Sequence, residues 1–144
     1  MAATESRWIR TILGGVTTKY YYDGQRVLLE TDNAGTGQRM FAYGNYIDEV
    51  LALVIPAQVH DTPWRAGIQT YYYGHDHLFS VCILFGYDQG EEEWTVADRY
   101  EYDAYGSVHI LSSDFCILSS SQYSNPYTFA GRRLDLVDAD SVRV

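Results

Sequence analysis

Apolar and polar residues alternate with a period of two through much of the chain, and turn residues interrupt the alternation at short intervals. In Arg39-Met40-Phe41-Ala42-Tyr43 the side chains of Arg39, Phe41 and Tyr43 fall on one face of an extended strand, and in Tyr100-Glu101-Tyr102 two rings flank an acid. Side chains two apart share a face in a strand, so the pattern predicts β structure. Val27-Leu28-Leu29 and Val81-Cys82-Ile83-Leu84-Phe85 are unbroken apolar runs bounded by turns, as expected of strands covered on both faces. Breaks fall at Asp23-Gly24, Asn33 to Gly37, Gly44-Asn45, Pro56, Gly74, Gly86 to Gly90, Gly106, Asn125-Pro126 and Gly131, a spacing that suits short strands better than helices. Asn33 to Gly37 is expected to close a hairpin between residues 27–31 and 38–43, because Asn and Gly tolerate the positive φ of tight turns. One segment competes with this reading. Asn45 can cap a helix with Asp48 and Glu49 in its first turn, so one short helix near residues 46–55 is the alternative there.

The breaks also repeat in form. Tyr20-Tyr21-Tyr22-Asp23-Gly24, Phe41-Ala42-Tyr43-Gly44, Tyr71-Tyr72-Tyr73-Gly74 and Tyr100-Glu101-Tyr102-Asp103-Ala104-Tyr105-Gly106 each place an aromatic, any residue, a Tyr and then a turn residue. Two rings at i and i+2 lie on one strand face, and the Asp or Gly after them reverses the chain. Each unit then reads as one hairpin of a sheet grown by repetition.

At these residues the sequence resembles the RHS or YD-repeat family, specifically the RHS repeat-associated core. The most specific blocks are Tyr22-Asp23-Gly24-Gln25-Arg26-Val27, Tyr43-Gly44-Asn45-Tyr46-Ile47-Asp48-Glu49-Val50-Leu51, Tyr100 to Gly106, and Asn125-Pro126-Tyr127-Thr128-Phe129-Ala130-Gly131-Arg132-Arg133-Leu134-Asp135. They occur in family order from about Tyr20 to Asp135. The resemblance implies antiparallel YD-repeat hairpins in a twisted, open, spiral-like sheet, part of a hollow shell that encloses a C-terminal toxin or other payload at the cell surface or after secretion. It implies structural roles for Tyr20, Tyr22, Asp23, Gly24, Tyr43, Gly44, Tyr71, Tyr73, Tyr100, Tyr102, Asp103, Tyr105, Gly106, Tyr127, Gly131, Arg132 and Arg133, and containment rather than catalysis. It divides the chain into an N-terminal segment 1–18 expected to be poorly ordered, a core 19–135 and a divergent tail 136–144. Three departures stand out. Phe79 occupies a position where the family has glycine, which puts that turn in doubt if it needs φ > 0. Gly86 to Val96, with Glu91-Glu92-Glu93, reads as an exposed acidic loop. After Asp135 the family's following blocks, its self-cleaving region and its payload are missing, so the chain reads as a core fragment.

Composition adds to this picture in three places. Tyrosine, at 14 of 144 residues, is the commonest residue type, which reinforces the β expectation. A net charge of −9 would repel phosphate backbones, so nucleic acid is not an expected partner. The apolar run Val50 to Pro56 is too short to cross a bilayer, and Ile12 to Val16 is too short for a signal-peptide core. The expected partners are the rest of such a shell, or another copy, meeting through open strand edges; a row of exposed tyrosines would add glycans or a protein ligand.

Candidate chemistry is sparse. His75-Asp76-His77 is the densest group of possible metal ligands, yet two same-face imidazoles need a third ligand from His60 or His109 that the spacing does not demand. We assign no metal and no cofactor. Ser80 and Ser119 to Ser121 lack a nucleophile-elbow context, and Asp98 with Glu101, or Asp138 with Asp140, read as solvated acids. Cys82 and Cys116 form no ligand pattern and read as small buried apolar side chains. The sequence thus points to a module without catalytic residues.

Overall fold

Each strand pairs with its neighbours in sequence, so the chain builds one antiparallel meander. In spatial order it runs β1 (Ser6–Thr11), β2 (Thr17–Asp23), β3 (Arg26–Thr31), β4 (Gly37–Tyr43), β5 (Val50–Ile55), β6 (Gln69–His75), β7 (Val81–Asp88), β8 (Glu93–Tyr102), β9 (Val108–Leu111) and β10 (Ile117–Leu118). This architecture is that of a computed structural model, which describes residues 6–11, 17–56, 69–119, 125–133, 135–138 and 141–143. The sheet is open, with β1 and β10 as its two ends. Beyond it, β11 (Asp135–Asp138) and β12 (Ser141–Arg143) pair as a separate hairpin. The mainly-β, antiparallel, open-sheet expectation holds. The hairpin around Asn33 to Gly37 joins β3 to β4 as its turn residues indicated.

Residues 46–55 do not form a helix. Val50–Ile55 is β5, paired to β4 through Phe41↔Leu53 and to β6 through Leu53↔Tyr71, and the extended chain buries Val50, Leu53 and Ile55. The capping residues Asn45 to Glu49 instead make a loop in which the Gly44 N–H donates to the Glu49 carbonyl at 2.8 Å. A single cap signal is worth about 1 kcal/mol, whereas β5 gains ladders on both sides and full burial of two aliphatic side chains. Gly86 to Val96 is also not a loop: β7 and β8 run through Asp88 and Glu93, and only residues 89–92 turn. Cys82 and Cys116, expected to be buried, are exposed free thiols.

A five-residue turn recurs along the sheet. In Asp32–Thr36, Asp76–Ser80, Asp103–Ser107 and Ser112–Cys116 the first N–H donates to the fifth carbonyl, and the fourth N–H donates to the first carbonyl. The first side chain also accepts from the fifth N–H, at 2.8, 3.0, 2.9 and 3.1 Å respectively. The fourth residue has positive φ in each: Gly35 at 89°, Phe79 at 60°, Gly106 at 84° and Phe115 at 62°. Phe79 therefore keeps the turn that its bulk put in doubt. Thr128–Arg132 repeats the backbone bonds, with Gly131 at 65° in the fourth position.

Alternation sends one row of side chains to the core face. Across the strands the register aligns Tyr20 with Glu30 and Glu30 with Arg39, then Phe41 with Leu53 and Tyr71, and Tyr73 with Leu84 and Asp98. The segment Asn125–Arg133 returns across this face and covers it. The Thr128 carbonyl accepts from Val81 N–H, and Ala130 N–H donates to the buried Ser80 Oγ at 2.9 Å.

Candidate functional site

The covered face holds, among the described residues, the buried polar side chains Glu30, Ser80, Asp98, Asn125 and Thr128, and Asn125–Arg133 ties them together. Tyr73 Oη donates to Asn125 Oδ1 at 2.7 Å, Asn125 Nδ2 donates to Tyr100 Oη at 2.9 Å, and Tyr100 Oη donates to Asp98 Oδ2 at 2.9 Å. Asn125 also closes on Tyr127, accepting its N–H at 3.0 Å and donating to its carbonyl at 2.8 Å. The Asn125 amide thus uses two donors and two acceptor positions, the full capacity of the group. Asp98 is completely buried rather than a solvated acid, and Glu101, one strand position out of phase with it, is exposed on the opposite face.

Tyr127 enters a cage of Phe41, Tyr43 and Tyr73, with edge-on ring centroids 5.2, 6.1 and 6.4 Å away. Tyr43 Oη donates to the Val27 carbonyl at 2.7 Å, so the short bond between the two phenols runs from Tyr127 to Tyr43. Tyr102 makes the equivalent bond to the Val81 carbonyl at 2.6 Å, which shows the same motif position doing the same work two hairpins later. Burial pushes the Tyr43 phenol up to about 12 and raises those of Tyr73, Tyr102 and Tyr127 as well. These groups therefore stay protonated at neutral pH and act as hydrogen-bond donors.

At the other end of the segment, Arg133 meets Glu30, whose side chain is fully buried, and Arg39 pairs with the second Glu30 oxygen. The Arg133 guanidinium also lies 5.0 Å from the Tyr20 ring centroid and 5.7 Å from that of Phe41. Desolvation lowers the Arg39 guanidinium. One fully buried carboxylate against two partly exposed guanidiniums forms an ion triad linking β3, β4 and the C-terminal segment.

The structure brings Tyr20, Tyr22, Tyr43, Tyr71, Tyr73, Tyr100, Tyr102 and Tyr127 together on this face, with Arg133 among them. It places Asp23 at the end of β2 and Gly24, Asp103, Tyr105 and Gly106 at turns, where Tyr105 is 95% exposed. Gly44 starts the β4–β5 loop, Gly131 packs against the Asp48 backbone, and Arg132 is exposed. Glu30, Asp98, Asn125 and Ser80 complete the network, but the sequence reading gave them no part in it. The available signal was an acid inside the apolar stretch Val27 to Thr31 facing Arg39 across a hairpin.

The histidine group does not assemble a site among the described residues. Asp76 Oδ1 accepts from Leu78 and Ser80 N–H, His77 is exposed, and no cluster of three His, Cys, Asp or Glu side chains suited to a metal occurs there. Burial lowers the His75 imidazole. His60, Asp140, Ser120 and Ser121 lie outside the described residues, as does the side chain of Asp138. No helix among the described residues is long and apolar enough to cross a membrane. No family model, curated protein or solved structure matches the chain.

Proposed function

We propose that this chain is a structural β-repeat module without a catalytic role, a piece of an RHS-type shell that in intact relatives encloses a C-terminal toxin or payload. The observation carrying this reading is the recurrence of one turn geometry at four of the sheet's connections, together with inward tyrosines that β2, β4, β6 and β8 supply to a shared wall. A repeated hairpin whose rings pack against its neighbours is a unit of sheet extension. The buried network supports the same role, since its phenols, amide and carboxylates are spent on holding strands together. Sequencing the coding DNA on both sides tests the proposal. A continuing array of Tyr-Asp hairpins upstream and a payload region downstream are the expected result; flanks without either would remove the shell from consideration.

A second reading, a secreted module that binds a glycan or a protein through exposed rings, is favoured by one separate observation. The face opposite the network carries Tyr72, Tyr87 and Trp94, which are 40%, 43% and 60% exposed. Tyr71 and Tyr73 are buried and take no part in such binding.

A further inference from the structure

The outer face of the sheet carries a joined aromatic surface. Trp94 on β8 touches Tyr72 on β6 and Phe85 and Tyr87 on β7, with ring centroids 5.7, 5.9 and 5.6 Å away, and Tyr72 also meets Phe85 at 6.0 Å. The register extends this surface sideways through Ala52 and Ala42, which pair in line with Tyr72. Next to it stands the β7–β8 turn, where Glu91 and Glu92 are exposed; Glu93, the exposed first residue of β8, leads into Trp94. Among the described residues, none of these three acids takes part in an ion pair with Arg39 or Arg133, the cations engaged by Glu30. The sole lysine, Lys19, is bonded to the Asn33 carbonyl, and Arg99 lies over the Phe115 ring.

We propose that this face is a docking surface for a basic, apolar peptide segment of a partner protein. The proposal rests on the second reading above and supplies its ligand class. Charge complementarity selects the occupant. The exposed carboxylates of the turn beside the aromatic platform attract Arg or Lys, whose cations also bind ring faces, while leucine-like side chains cover the rings. The same acids, on a chain of net charge −9, repel a second copy, an anionic lipid surface and nucleic acid.

Isothermal titration of the full chain with an alternating Arg-Leu octapeptide tests this, with an alternating Glu-Leu octapeptide and cellohexaose as the other probes. The Arg-Leu peptide is expected to bind saturably, one per chain. Trp94→Ala is expected to weaken it about tenfold, and the triple variant E91Q/E92Q/E93Q to weaken it and flatten its salt dependence. All these side chains are exposed, and unchanged melting temperatures verify that both variants fold; if Trp94→Ala melts lower, the triple variant alone decides. The proposal is overturned by absence of saturable binding, by equal binding of the Glu-Leu peptide, or by affinity that the triple variant leaves unchanged. Cellohexaose binding that Trp94→Ala abolishes, without peptide binding, would keep the exposed-ring reading and discard the basic peptide. Binding of none of the probes would discard both.

Discussion

Glycines at the fourth turn position differ in what surrounds them, and this separates backbone strain from crowding. A Cβ at Gly35 would meet nothing within 4 Å, one at Gly106 would stand 3.0 Å from the Phe129 ring, and one at Gly131 would run into the Asp48 carbonyl. All three have positive φ, which costs an ordinary residue about 1–2 kcal/mol. Gly35→Ala should therefore lower stability by about 1 kcal/mol, Gly106→Ala by somewhat more, and Gly131→Ala by the most, in urea denaturation; equal losses would show that crowding is immaterial. Phe79 and Phe115 bear the same strain and recover part of it through contacts. Phe79 lies 5.6 Å from Tyr46 and 6.2 Å from His75, and Arg99 sits 4.3 Å above Phe115. Glu30 is the other residue on which much depends. Removing one member of a buried ion group typically costs 3–5 kcal/mol because the remaining charges lose their partner. Glu30→Gln leaves Arg39 and Arg133 facing an amide, and a loss of about 3 kcal/mol is expected from the same urea curves. Arg39 and Arg133 are 23% and 24% exposed, so water softens that figure, and a loss below about 1 kcal/mol would mean that the triad is dispensable.

Tyrosines contributed by β2, β4, β6, β8 and the Asn125–Arg133 segment make the strands into a wall, and their titration gives that wall a pH limit. The Tyr43 phenol sits at about 12 in the folded chain, against about 10 when unfolded. Between those values the folded state holds a proton that the unfolded state has released, so stability falls as pH rises. The contribution is complete below pH 10 and disappears as pH passes through 12; Tyr73, Tyr102 and Tyr127 are raised too and steepen the fall. Phenolate absorbance at alkaline pH should show these tyrosines ionising together with loss of the sheet signal in circular dichroism. Ionisation of every tyrosine with the sheet intact would contradict the buried ladder. Most strands, the Asp-led turns and the inward tyrosines were legible because period two and Asp placement are local signals, whereas Gly74 and Gly86, read as breaks, lie inside β6 and β7, where ladder pairing with Ile83 and Tyr71 holds them extended. The strand Val50–Ile55 was not, since its capping residues favour a helix and only pairing with β4 and β6 decides otherwise. The polar network was equally hidden, because it joins Tyr127 to Tyr43 and Arg133 to Glu30 across 84 and 103 residues. No periodicity reports a contact at that separation.

Taken as a whole molecule, the sheet combines a tendency to join with a tendency to repel. β1 and β10 are its ends, so each has a side without a strand among the described residues, and unpaired N–H and C=O groups there can receive another strand. Against this, two copies each carrying −9 must approach to strand-pairing distance. Edge pairing acts at contact range, while the repulsion reaches about 30 Å at 10 mM salt and only about 3 Å at 1 M. The balance should therefore turn on ionic strength: sedimentation velocity is expected to show monomer at low sodium chloride and reversible association as salt rises. The exposed rings around Trp94 offer a competing route to the same behaviour, because salt also screens the repulsion between the acids that flank them in two copies. Trp94→Ala separates the two. Association through strand edges survives that substitution and weakens instead with Ile117→Lys, which places a charge on β10 at a side chain already 79% exposed. If Trp94→Ala abolishes association and Ile117→Lys leaves it intact, the edges are closed to self-pairing.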